Sequence, residues 1–282
     1  MIVTDSLSDF TPQMAQKLGI ALVPLYVKFG NESYRDNVDI STEEFYHRLT
    51  LSKTIPTTST VTPNFFAELF TKLTEETNEI LAIIASQMYS GTYGSALQGK
   101  AMVKKKCRIE VIDSQLAVGG QMLLVVLAAQ MAKDGDNLSQ VASWVRRAMP
   151  RTHVRMSFDT LEYLRRGGRI GKAQASLGSL LKVNPVLGIK DGATFPVARP
   201  RNRTQAMDFL VNFAKSFHHI EALAIEDATT PNELEILAQH LKDLAPPERF
   251  YRSKISPVVG THVGPRVLAV SVLEAEEKFN ER

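Results

Sequence analysis

Four short apolar runs rich in β-branched residues, Ile2-Val3-Thr4, Ala21 to Phe29, Ile80 to Ala85 and Ile109 to Ile112, alternate with helical patterns through the first half of the chain. That alternation is the signature of βαβ units, and it restricts this half to a mainly parallel sheet with helices against its faces. Between the second and third runs, Phe65, Phe66, Leu69, Phe70 and Leu73 recur at helical spacing. They follow Thr62-Pro63, a hydroxyl cap with proline at the first helical position. The most apolar stretch, Leu116 to Ala132, holds Gln121, Gln130 and two glycines. It falls short of the roughly 20 apolar residues of a membrane span and reads as a buried helix.

After about residue 150 the pattern changes. A helix is expected over Thr160 to Arg166, stopped by Gly167-Gly168, and a second near Ala173 to Lys182. Val183 to Ile189 and Ala193 to Val197 are joined by Asp191-Gly192, a turn that makes them an antiparallel hairpin. Helices over Thr204 to Phe217, capped by Thr204, and Pro231 to Leu244, capped by Thr230, flank a strand at Ala222 to Glu226. Strands near Val258 and over Val267 to Val272 close the chain. The expected fold is α/β in two domains: residues 1–153 form a mainly parallel sheet with flanking helices, and residues 154–282 form a mixed α+β domain. A length of 282 residues exceeds what one core usually serves and agrees with that division.

Hydrophobic residues at 44% and charged residues at 22% exclude wholesale disorder. The single cysteine, Cys107, excludes a disulfide framework and fits a reducing cytoplasm. Met1 to Asp5 runs from an apolar strand into polar residues without a basic or apolar leader, so no secretion signal is expected. The net charge of +3 is uneven: residues 1–100 carry 7 basic and 11 acidic side chains, residues 101–203 carry 18 and 7, and the remainder 8 and 12. The middle third is therefore +11, and holds Arg146, Arg147, Arg151, Arg155, Arg165, Arg166 and Arg169. No helix-turn-helix, zinc or aromatic RNA-binding signature accompanies them, so nucleic acid is not the expected partner. A solvated basic face and a docking surface for an acidic partner both fit.

Two hydroxyl-rich junctions lead into helices, Pro56-Thr57-Thr58-Ser59-Thr60-Val61-Thr62 and Ser86-Gln87-Met88-Tyr89-Ser90-Gly91-Thr92. Free backbone N–H groups and the positive end of the helix dipole suit such places to a small anionic head group, and loops at the carboxyl ends of parallel strands converge on a ligand crevice. Simple helix capping is the competing role. Neither GxGxxG nor GxxxxGK[ST] occurs, and Arg166-Gly167-Gly168-Arg169-Ile170-Gly171 has the wrong glycine spacing for a nucleotide loop. No cofactor is expected. His218 and His219 are adjacent and diverge, while His47, His153, His240 and His262 lack a carboxylate or thiolate at ligand spacing, so no metal is expected. His262 lies between Gly260 and Gly264 in what reads as a tight loop, fixed either by turn hydrogen bonds or by closeness to a ligand. Ser90, His262 and Asp113 supply the residue types of a hydrolase triad, but Ser90 lacks the GxSxG elbow.

In order along the chain stand Ile2-Val3-Thr4-Asp5-Ser6, Thr57-Thr58-Ser59, Ser90-Gly91-Thr92-Tyr93 and Ile112-Asp113-Ser114. Leu161 to Ile170, reading LEYLRRGGRI, Asn184-Pro185-Val186-Leu187 with Asp191-Gly192, and Thr261-His262-Val263-Gly264-Pro265 follow. This set resembles the DegV family, whose better-understood members are the fatty-acid-binding subunits of the bacterial fatty acid kinase. The resemblance implies a long-chain fatty acid enclosed between two domains, its carboxylate hydrogen-bonded by Thr58 and Ser90 with His262 near the head group. It also implies that Arg169, with Arg165 and Arg166 in the same motif, faces a separate kinase that makes acyl phosphate, and that the chain is itself non-catalytic. Thr60 stands where the family has glutamine and Arg266 where it has glycine; neither change removes an implied ligand. The alternative function is an esterase or thioesterase dependent on Ser90.

Overall fold

The computed structural model describes residues 1–52, 55–180 and 183–276. The chain opens with β1 (Ile2–Asp5), a 3₁₀ turn at Ser6–Ser8, α1 (Pro12–Leu18) and β2 (Ile20–Val23), and continues with β3 (Tyr26–Phe29), β4 (Glu32–Arg35), α2 (Thr42–Leu51) and β5 (Thr57–Ser59). Then come α3 (Pro63–Leu73), β6 (Glu79–Ile84), α4 (Thr92–Met102), β7 (Arg108–Asp113), α5 (Val118–Lys133) and α6 (Leu138–Ala148). The four strands β2-β1-β6-β7 pair in that order, all parallel. The βαβ alternation of the sequence is thus realised in a parallel sheet. As expected, Thr62 caps α3, its hydroxyl accepting from Phe65 N.

The run from Ala21 to Phe29 is not one strand. Pro24 interrupts it, and its halves enter different sheets: β2 joins the parallel sheet while β3 pairs antiparallel with β4 and β5 in a three-stranded sheet. Proline has no N–H for a ladder, so a break there is natural.

The second half contributes β8 (Thr152–Ser157), α7 (Glu162–Arg166), β9 (Val186–Lys190), β10 (Ala193–Ala198), α8 (Arg203–Lys215), β11 (Ile220–Asp227), α9 (Pro231–Leu241), β12 (Phe250–Lys254), α10 (Pro257–Val263) and β13 (Leu268–Glu274). Its strands form one mixed sheet in the order β10-β9-β8-β13-β11-β12. Asp191 and Gly192 both take positive φ, 53° and 76°, and make the expected hairpin turn between β9 and β10. Five expectations are corrected. Val258 lies in α10, not in a strand, because Ser256 N and Val258 N donate to side-chain oxygens of Asp9 and Asp36, which satisfy N–H groups at the helix start. His262 is therefore in the last turn of a helix closed by Gly264 at φ 82°, not in a loop. Asn202, not Thr204, caps α8, and Thr230 precedes α9 without a side-chain cap bond. Gly171–Leu180 is a 3₁₀ helix, and the last two residues of the helix expected near Ala173 to Lys182 lie outside the described residues.

Helix α5 decides how the sheets meet. Every residue from Val118 to Ala129 is buried. On one side Gln121 Nε2 donates to Thr4 Oγ1 (3.0 Å) and to Ile83 O (3.3 Å), tying the helix to β1 and β6. On the other, a Cβ at Gly120 would stand 2.5 Å from Val154 Cγ2 of β8, so only glycine permits this approach to the mixed sheet. One apolar core runs from Ile2 and Leu81 through α5 to Val154 and Ala269. Among the described residues no helix is long and apolar enough to cross a membrane.

Candidate functional site

A cavity of about 370 Å³ lies where β5, the loop after β6, α10, the segment after α7 and strands β8 to β10 converge. Its volume falls in the range of small-molecule sites. Leu7, Leu25, Met156, Leu164, Ile189 and Val259 supply apolar wall, while Thr58, Thr60, Ser90, Arg169, Thr194 and His262 bring the polar groups.

Thr58 comes from β5, where it pairs with Val27 of β3. The first hydroxyl-rich junction is therefore in part a strand, and its side chains are aimed by sheet pairing. Thr58 Oγ1 lies 2.9 Å from His262 Nε2. Burial, reinforced by the Arg169 guanidinium, pulls the imidazole down to about 4, so His262 is neutral near pH 7. Its Nδ1 is buried without a hydrogen-bond partner. The tautomer with hydrogen on Nε2 avoids an unpaired buried donor at Nδ1, and makes His262 donate to Thr58 Oγ1. The Thr58 hydroxyl hydrogen is then free for a ligand oxygen.

Ser90 belongs to a second hydroxyl group. Its Oγ lies 2.7 Å from Thr92 Oγ1, which lies 2.7 Å from Thr60 Oγ1. If each hydroxyl donates to the next in the order Thr60, Thr92, Ser90, the Ser90 hydrogen points onward to a ligand, and an anionic acceptor selects that direction. Thr92 is fully buried at the first residue of α4, behind Ser90. Sequence reading recognised the run containing Thr92 but not its role, because three residues distributed over two loops meet only in space. Thr194 carries no sequence signal at all; it reaches the cavity from β10, donating to Arg169 O at 2.8 Å.

Arg169 lines the same cavity, its Nε donating to Tyr89 O at 3.0 Å and Nη1 to Gly167 O at 2.6 Å. Arg165 and Arg166 do not join it. Both are exposed and pair with Glu162, which they hold down at about 2. More generally the basic middle third is met by acids of its own chain: Arg146 with Glu110, Arg147 with Glu276, Arg151 with Glu221, and Arg203 with Asp159 and Glu233.

The nominated triad is not assembled. His262 Nε2 pairs with Thr58 while Ser90 pairs with Thr92. Asp113 accepts from Gln87 N and Gln115 N. No His, Cys, Asp and Glu cluster among the described residues suits a metal ion.

A sequence model of the DegV family matches residues 1–275. A DegV domain-containing protein of Caldanaerobacter subterraneus is 36% identical over 275 residues, spanning 95% of this chain and 96% of its own length. Among solved structures, a DegV family protein of Thermus thermophilus, described for its fatty acid binding, superposes with a TM-score of 0.89 at 30% identity, over 98% of this chain and 99% of its own. A stearic-acid-binding protein of Eubacterium ventriosum gives 0.88 at 28% identity, over 97% of each chain. DegV of Bacillus subtilis, a fatty acid binding protein, gives 0.87 at 26%, over 97% of this chain and 98% of its own.

Proposed function

This chain belongs to the DegV family, and from that premise we propose that it encloses one long-chain fatty acid and presents the carboxylate to a separate kinase, which converts it to acyl phosphate. The observation that carries this reading is the cavity whose polar groups include Thr58, Ser90, His262 and Arg169 while much of its wall is aliphatic. Burying a CH₂ is worth about 0.8 kcal/mol, so about 15 methylenes gain roughly 12 kcal/mol before ordering costs. A carboxylate carried in with them must find donors or it could not be buried as an ion. Thr58 and Ser90 each have a hydroxyl hydrogen to give in the arrangements described above.

Presentation rather than turnover is supported by the separation of Ser90 from His262 in the hydrogen-bond network, and by the lack of any phosphate-cradling motif in the sequence. ATP and metal then come from the kinase. Arg169 in the cavity wall and the exposed Arg165 and Arg166 on α7 face that partner in this reading. A division into domains 1–153 and 154–282 with the fatty acid between them, and a cytoplasmic location, are parts of the same proposal.

Mass spectrometry of an organic extract of the purified protein tests it. About one long-chain fatty acid per chain is expected, and ligand at 100 times its dissociation constant should stabilise the fold by about 2.7 kcal/mol. An extract without lipid, together with no thermal shift on adding fatty acids, overturns the binding. Arg169→Ala tests the presentation: lipid retained with acyl-phosphate formation reduced at least tenfold supports it, whereas joint loss of lipid and activity makes Arg169 a ligand of the fatty acid instead.

A further inference from the structure

Successive side chains of a strand point to opposite faces of its sheet. In β8, Val154 packs against Gly120 of α5, which turns His153 and Arg155 to the other face. There His153 stacks on Phe217, just beyond the end of α8, with ring centroids 5.1 Å apart, and its Nε2 lies 2.7 Å from Glu274 Oε2. The Arg155 guanidinium lies over two rings, 5.3 Å from the centroid of Phe195 in β10 and 4.7 Å from that of Phe213 in α8.

A second cavity, of about 620 Å³, opens at this place, and Ile189 lines both it and the first one. Its charges do not balance. Arg146, Arg155 and Lys190 line it against Asp191 alone among the acids. Arg146 is already paired with Glu110, and Asp191 lies 3.9 Å from Lys172. Among the described residues, Arg155 and Lys190 make no ion pair.

Arg155 is the less ordinary of the two. Among the described residues, its one side-chain hydrogen bond runs from Nη1 to Val154 O, at 2.8 Å. Burial draws its basicity down. The room it occupies depends on Gly188: a Cβ there would fall 2.7 Å from Arg155 Nη1 and from Phe195 Cε1. Two aromatic walls and a bare backbone thus hold a planar fork of donors beside a cavity, with most of its N–H groups uncommitted. That is the preorganised form in which arginine recognises an oxyanion with two acceptor atoms.

We propose that this cavity is a second ligand site that takes a small phosphate-bearing anion, bound by the Arg155 guanidinium with Lys190 as the second cation. Two uncommitted cations suit a dianion better than a single carboxylate, and the volume leaves space for an organic group on the phosphate. The site is independent of the fatty-acid reading, since none of its polar residues lines the first cavity.

Isothermal titration of inorganic phosphate into the full chain, at fixed ionic strength maintained with chloride, tests it. Saturable binding at one phosphate per chain is expected. Arg155→Met, which keeps the stem and the contact with both rings, should weaken it at least tenfold. Lys190→Gln, at an exposed position where folding is not at stake, should weaken it at least threefold, and decides the matter if Arg155→Met does not fold. Absence of saturable heat in the wild type overturns the proposal. So does phosphate binding unchanged in a folded Arg155→Met variant, which would place the anion elsewhere.

Discussion

Replacing Gly167 by alanine should disconnect His262 from Thr58 without straining the backbone. Gly167 has φ −73° and ψ −9°, which alanine adopts freely, so any effect must come from its methyl group. An added Cβ would lie 2.2 Å from His262 Nδ1, 3.0 Å from its Cε1 and 3.1 Å from Tyr163 O. Non-bonded heavy atoms attract at about 3.5 Å, so the imidazole must move by roughly 1.3 Å. A displacement of that size along the line of the 2.9 Å contact between Nε2 and Thr58 Oγ1 takes it outside hydrogen-bonding range. Overpacking costs about 1–3 kcal/mol and the lost bond about 0.5–1.5, so unfolding stability should fall by roughly 2–4 kcal/mol. With the Thr58 hydroxyl no longer anchored, fatty acid affinity should fall about 5- to 150-fold, which corresponds to about 1–3 kcal/mol.

Urea unfolding and fatty acid titration of the wild type, Gly167→Ala, His262→Ala and the double variant form the assay. Removing the imidazole makes room for the methyl group. In the His262→Ala background, Gly167→Ala should therefore cost less than about 0.5 kcal/mol. Equal cost in both backgrounds would refute the argument, because the strain would then lie with Tyr163 or the backbone and not with His262.

Three further outcomes follow from the same geometry. Thr58→Ala and Ser90→Ala should each weaken fatty acid binding by about 1–3 kcal/mol, the range for leaving a buried charged acceptor short of a donor; equal binding of the acid and its methyl ester by wild type and variants would dispose of the carboxylate site. Thr92→Val should lower fatty acid affinity about three- to tenfold, the worth of one net hydrogen bond, while Thr92→Ser keeps it; loss of a fatty alcohol to the same degree would show that Thr92 only supports packing. Burial raises Glu226 to about 7 and Asp9 well above the carboxylate range. A carboxyl raised in the folded state contributes stability that is fully present below its unfolded value near 4.5 and is lost as pH climbs through about 7. The melting temperature should accordingly fall between pH 5 and 8, and less steeply in Glu226→Gln, whose amide replaces the removable hydrogen with permanent ones; parallel curves for the two proteins would reject this pair as the cause.

Local sequence determined what depends on periodicity and on residues close in the chain. The parallel strands β1, β6 and β7, the Thr62 cap with Pro63, the turn at Asp191-Gly192 and the buried character of Leu116 to Ala129 were all legible, because their signals are local backbone preferences and amphipathic or apolar runs. The ordered motifs carried the family. Tertiary structure alone decided the rest. Thr57-Thr58-Ser59 has no apolar alternation to mark a strand, and becomes β5 only because β3 offers it an edge. Val258 and Val259 are β-branched and read as strand, yet side-chain oxygens of Asp9 and Asp36, 247 and 222 residues away from the N–H groups they accept from, hold the start of α10. Ser90 and His262 looked like partners by residue type, but the fold gives each a different hydroxyl. The charge of +11 in the middle third looked free in one dimension, whereas salt bridges reach from it into the last third. Hydrogen bonds and ion pairs act over a few ångströms in space without regard to distance along the chain, so the residues they join stay invisible until the sheets and α5 have brought them together.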